Sequence, residues 1–173
     1  MNIVQTGELP QEAILGKYKQ EGAYTDCNFI DIPRAVSQAA YVETFYTTKL
    51  FKIERLILAL LAQKPSTDAQ AKLLALGEAK SFAAWSVERR TSDQLLLCDF
   101  LGRTRSWLMS AVTKDGNSST TRLYFGSAVV PKVDRASGRA SFGIAFHMLS
   151  GFHRIYSRAL LRSARSRLLH SVL

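Results

Sequence analysis

The sequence predicts an α+β fold: a meander of antiparallel strands covered by a long C-terminal α-helix, with additional helices between the first strand and the rest. Three observations carry this. Four runs with an apolar period near two lie between residues 82 and 130, joined by short turn-like links. Residues 142–169 repeat apolar residues at helical spacing. Three helix-like segments stand between an early strand and the meander.

Taken in order, residues 1–22 read as a loosely structured lead-in with a short helix after Pro10, and residues 23–173 as a single domain. "TDCNFIDIP" (25–33) reads as a strand, with Cys27 and Phe29 alternating with Asn28 and Pro33 ending it. Ser37 is placed to cap a helix over 38–48, where Ala40, Val42, Phe45 and Tyr46 give an apolar side. "KIERLILALLAQ" (52–63) is apolar on most sides, so a well-buried second helix is expected, stopped by Pro65. Thr67 and Gln70 have capping-box spacing for a third, which Gly77 can terminate.

"FAAWSVERR" (82–90), "QLLLCDF" (94–100), "TRSWLMSAV" (104–112) and "TTRLYFGSAVV" (120–130) read as strands. Their links, "TSD", "LGR" and "KDGNSS", favour antiparallel neighbours. A further small hairpin fits within 131–142, turning at Ser137-Gly138. On a helical wheel of the last segment, Ala145, Leu149, Phe152, Tyr156, Ala159 and Leu160 share one face, and His147, Arg154, Arg158, Arg162 and Arg165 fall opposite. The apolar stripe fades after Leu160, where Ser163 and Arg167 enter it, so the last turns are expected to project or fray. A sheet needs its apolar face covered, and this helix is the evident cover.

This element order, with the stretches "WSVERR", "LLLCDFLGRTRSWLM" and "RLYFGSAVV", resembles the START/Bet v 1-like (SRPBCC) superfamily over residues ~24–165, and within it a bacterial family of domains of unknown function. The resemblance implies a helix-grip fold, a curved antiparallel sheet wrapped around the C-terminal helix, with a cavity between them for a small apolar or amphipathic ligand such as a lipid. It supplies no shared catalytic set. Two departures stand out: five strands are counted where six or seven are usual, and three helices follow the first strand.

The "CDFLGRTR" hairpin is the most informative polar spot. A three-residue Phe100-Leu101-Gly102 loop leaves only Gly102 at positive φ. It sets Asp99 opposite Arg103 and puts Leu95, Leu97, Asp99, Arg103, Arg105, Trp107 and Met109 on one face. Leu95, Leu97, Trp107 and Met109 then form an inner wall with Asp99 and Arg105 at its rim. Either an arginine binds a ligand carboxylate or phosphate while Asp99 holds the guanidinium, or the pair is a cross-strand ion pair worth ~0.2–1 kcal/mol. Trp85, Tyr124, Phe152 and Tyr156 join the expected ligand-binding set, and core packing is the commoner fate of such aromatics.

The composition, 47% apolar and 21% charged, suits a globular chain, and the longest apolar run, Leu56–Ala62, is far short of the ~20 residues a membrane span needs. No basic segment leads into an apolar one at the N-terminus, and the two cysteines, Cys27 and Cys98, lie far apart, so a cytoplasmic location with two thiols is expected. The net charge of +9 is lopsided: Lys132 onward holds eight Lys/Arg against one acid. The basic helix surface of Arg154, Arg158, Arg162 and Arg165 would attract an anionic lipid, an acidic partner or nucleic acid, although no aromatics stand among the arginines and nucleic acid is not the expected partner. All three histidines, His147, His153 and His170, lie on the last helix without metal-pair spacing. No nucleophile elbow, phosphate loop or dinucleotide fingerprint occurs, so no catalytic residue, metal or cofactor is assigned. A ligand-binding module is therefore expected. The alternatives are a cyclase- or aromatase-like enzyme anchored by Asp99 and Arg105, and an interaction protein using the basic helix.

Overall fold

The structure, a computed structural model, describes residues 3–61, 63–116, 118–133, 140–141 and 144–170. The side chains of residue 61, of 132–133 and 140–141, and of helix residues 144–153 lie outside that description. Seven strands form one sheet: β1 (Gln5–Thr6), β2 (Tyr24–Ile32), β3 (Ser81–Phe82), β4 (Trp85–Arg90), β5 (Gln94–Asp99), β6 (Thr104–Asp115) and β7 (Ser118–Val129). Their order is β1-β2-β7-β6-β5-β4-β3, every neighbouring pair is antiparallel, and the sheet is open. The expected meander is therefore present, and the early strand pairs with its last member. Beside it, β8 (Lys132–Val133) pairs with β9 (Ala140–Ser141) inside the stretch where a small hairpin fitted; the Ser137-Gly138 turn lies outside the described residues.

Among the described residues there are five helices: α1 (Gly16–Gln20), α2 (Gln38–Tyr46), α3 (Lys49–Leu61), α4 (Asp68–Leu76) and α5 (Ile144–His170). Local chemistry sets their ends. The Ser37 side chain accepts from the Ala40 N–H, Thr67 and Gln70 close a reciprocal capping box, and Gly77 ends α4 at φ +84°. The 82–90 run is not one strand: Ala83, at φ +51°, turns the chain so that Phe82 pairs with Trp85.

Two cores sandwich the sheet. On the helix-covered face, Ile30, Leu97, Leu108, Leu123 and Phe125 pack with Tyr41, Phe45 and Leu74 of α2 and α4 and with α5. On the opposite face, Cys27, Leu96, Trp107 and Met109 pack beneath Ala13, Leu15 and Tyr18. Residues 3–22, read as a lead-in, thus carry β1, an edge strand of the sheet, and α1, and the stretch from Ala13 to Tyr18 covers the outer face. With both faces covered, three consecutive leucines, Leu95 to Leu97, are all buried.

Helix α5 packs on β2 and β7 and on α2 and α3. Its buried stripe among the described side chains is Ser157, Leu160, Leu161, Ala164 and Leu168. That spacing is helical, but it sits about one residue, ~100°, around from the predicted apolar face. Nor does the last turn fray: Leu168 is buried and Arg167 donates to Thr47 O and Oγ1. Helix α3 corrects another expectation. It is not well buried, because Ile53, Leu56, Ile57 and Leu60 are at least half exposed. It packs mainly on α2 and α5, with Lys52 and Arg55 reaching Asp68 of α4 and Phe51 reaching Phe82 of β3, and an all-round apolar pattern does not say which sides find partners.

Candidate functional site

The β5–β6 hairpin decides which side chains face the helices. Gly102 adopts φ +69° as required, and its N–H donates to Asp99 O. The Asp99 carboxylate then accepts from the backbone N–H of both Arg103 and Thr104, at 2.7 and 2.9 Å. This closes a loop one residue longer than expected. Leu97 therefore pairs with Ser106 and Cys98 with Arg105. A slip of one residue turns every side chain of a strand to the other face. Arg105, Trp107 and Met109 consequently lie on the outer face with Leu96, not with Leu97 and Asp99.

Their surroundings on that face are structural. Trp107 is fully buried and its indole N–H donates to Gln94 Oε1, which also receives the Ile14 N–H. Tyr124 packs beside Trp107 and Phe29. The Arg105 Nε donates to Glu88 Oε2 at 2.6 Å and to the Tyr18 hydroxyl, and the guanidinium stacks over the Tyr18 ring. Lys17 and Tyr18 donate to the other Glu88 oxygen. Burial alone would raise the Glu88 carboxyl, but these three donors outweigh it and hold it below its ordinary value. The anticipated Asp99–Arg105 anchor is thus absent: Glu88 holds the arginine and backbone amides hold the aspartate.

Among the described residues, the helix-covered face is not filled. Among the described residues, a cavity of about 940 Å³ opens at the sheet end where Tyr24, Val129 and Thr104 pair in one row and Trp85 pairs with Asp99. Phe45 and Tyr46 of α2, Leu50, Phe51 and Ile57 of α3, and Ile155, Tyr156, Ala159 and Leu160 of α5 wall it against Phe125 of β7. The described members of the predicted apolar face of α5, Tyr156, Ala159 and Leu160, therefore turn to the cavity, while the neighbouring face makes the packed contact. Of the residues singled out in the sequence, Trp85, Asp99, Arg105 and Tyr156 border this cavity. Leu97 is buried in the adjoining core, and Trp107, Met109 and Tyr124 lie on the other side of the sheet. Phe152 is on α5, and its side chain is outside the described residues.

Polar groups in the wall are few. The Tyr46 hydroxyl meets Ser106 Oγ at 3.3 Å. Glu54 of α3 accepts a 2.6 Å hydrogen bond from the Tyr156 hydroxyl of α5. Burial pushes the Glu54 carboxyl above its ordinary value, with the phenol hydrogen bond working against the shift. The same burial, together with the adjacent carboxylate, pushes Tyr156 up. Neither Glu54 nor Glu88 was singled out from the sequence. Each reads there as an ordinary acid beside arginines, and nothing short of the packing distinguishes them.

The basic helix surface is partly engaged. Arg158 donates to Thr6 Oγ1 of β1 and Arg165 to Asp31 O of β2, both at 2.7 Å, while Arg154 and Arg162 are exposed. The ~100° rotation of the buried stripe brings the arginine flank against the sheet edge. The side chains of His147 and His153 are outside the described residues. Among the described residues there is no helix long and apolar enough to cross a membrane, and no cluster of three or more His, Cys, Asp or Glu placed for a metal. Cys27 and Cys98 are free thiols on β2 and β5, separated by three strand spacings, about 14 Å, which is beyond disulfide reach. Comparison of the chain with protein-family models, with curated proteins and with solved structures found no match. The architecture stands on its own geometry: an open, seven-stranded antiparallel sheet with a C-terminal helix packed on it, a helix-grip-like arrangement.

Proposed function

We propose that this chain is a START/Bet v 1-like domain that binds a small apolar or amphipathic ligand between the sheet and α5. The cavity carries this reading. Its volume, about 940 Å³, falls within the ~300–1,000 Å³ of small-molecule sites. Its walls are mainly Phe, Tyr, Leu and Ile side chains, and burying an apolar guest there gains roughly 25 cal/mol per Å² removed from water. The enzyme alternative gains no support from its named anchors, since Asp99 and Arg105 are occupied by structural partners. The interaction alternative rests on a stripe of which Arg158 and Arg165 already bond within the fold.

Titration with a neutral fluorescent apolar probe, N-phenyl-1-naphthylamine, tests the reading. Saturable one-to-one binding is expected, and Ala159→Trp, which fills the cavity from α5, should weaken it at least about tenfold, or 1.4 kcal/mol, with an unchanged melting temperature. Absence of saturable binding, or equal affinity in the variant, contradicts the proposal.

A further inference from the structure

Two carboxyls border the cavity, Glu54 and Asp99, and neither forms an ion pair among the described residues. Lys52 and Arg55, which flank Glu54 on α3, both turn to Asp68, at 2.5 and 2.6 Å. Glu54 forms no ion pair among the described residues. Its Oε2 accepts from Tyr156, and its Oε1 has no hydrogen-bond partner among the described residues. The other charged side chains bordering the cavity are differently placed. Asp99 Oδ1 is taken up by two backbone amides of the β5–β6 turn, Arg105 is paired with Glu88, and Arg103 lies in that same turn. Glu54 is half-buried, and a carboxylate set among apolar walls with only a neutral phenol beside it gains more from a charged donor than from water.

We infer that the ligand of this cavity carries an amine on an apolar body, and that the ammonium donates to Glu54 Oε1 while the body lies against the aromatic wall. This rests on the binding reading above and narrows it to one ligand class. The charge-assisted hydrogen bond supplies orientation. The phenol of Tyr156 fixes the carboxyl from the other side, joining α3 to α5 across the guest. A carboxylate-headed guest would meet Glu54 with like charge and is disfavoured.

The test displaces bound N-phenyl-1-naphthylamine with octylamine, octanol and octanoate at neutral pH, using the full chain. Octylamine should compete about tenfold better than octanol, and octanoate worst, the spread expected of one charge-assisted hydrogen bond. Glu54→Gln should bring octylamine level with octanol. Equal competition by all three, or preference for octanoate, overturns the inference and leaves the binding reading intact. No probe binding at all overturns both. The head-group order measured on the unaltered protein decides the matter even where Glu54→Gln does not fold.

Discussion

Glu54 shows how one side chain can be set apart by what its neighbours do. Its two basic neighbours in sequence serve Asp68, so it faces the cavity with Tyr156 alone. Burial raises its carboxyl above the ordinary 4.5, so the folded chain holds that proton more tightly than the unfolded chain. Stability from this group is therefore present below about pH 4.5 and lost as pH rises through the higher folded value. Asp31 and Asp68, lowered by their hydrogen bonds to Arg122 and to Lys52 and Arg55, act in the opposite direction. Comparing Glu54→Gln with the unaltered chain isolates the one group: the variant should gain in relative melting temperature between pH 4.5 and neutrality. A constant difference across that range would contradict the raised carboxyl. Gln94 belongs at this scale too. Its amide oxygen receives both Trp107 and Ile14 in a buried setting, so Gln94→Leu should cost about 1–3 kcal/mol in chemical denaturation through the orphaned donors, without altering probe affinity.

At the scale of elements, the sequence and the structure agree where a local rule acts alone. Ser37, Thr67, Gln70 and Gly77 mark helix ends because capping needs only neighbouring residues. They part where a choice depends on partners distant in sequence. The β5–β6 register hung on whether Asp99 would pair with an arginine or with the two amides of its own turn; it took the amides, and Trp107 and Met109 changed face. The buried stripe of α5 includes Ser157 and Ala164, small residues that allow close approach, while the large Tyr156 and Ile155 turn to the cavity. Hydropathy alone ranks those two faces in the wrong order. Gly102, by contrast, was legible and is testable: at φ +69°, Gly102→Ala should cost about 1–2 kcal/mol. Leu161, fully buried in the α5 stripe, should cost about 2–5 kcal/mol as Leu161→Ala; a loss under 0.5 kcal/mol would mean the helix is not held by that stripe.

For the whole molecule, the order of strands and helices was readable, and so was the cover that α5 lays on the sheet. Not readable was the second core, because Leu15 and Tyr18 lie in a segment with no periodic pattern and acquire their role only by meeting Leu96 and Trp107. The two tryptophans now report on opposite faces: Trp85 borders the cavity and Trp107 is sealed beneath the N-terminal segment. A brominated alcohol such as 8-bromooctanol, which quenches on contact, separates them in two single-tryptophan variants. If the space between sheet and α5 admits an apolar guest, quenching is saturable in Trp107→Phe, where Trp85 emits, and absent in Trp85→Phe, where Trp107 emits. Saturable quenching of Trp107, or none of Trp85, would contradict the account.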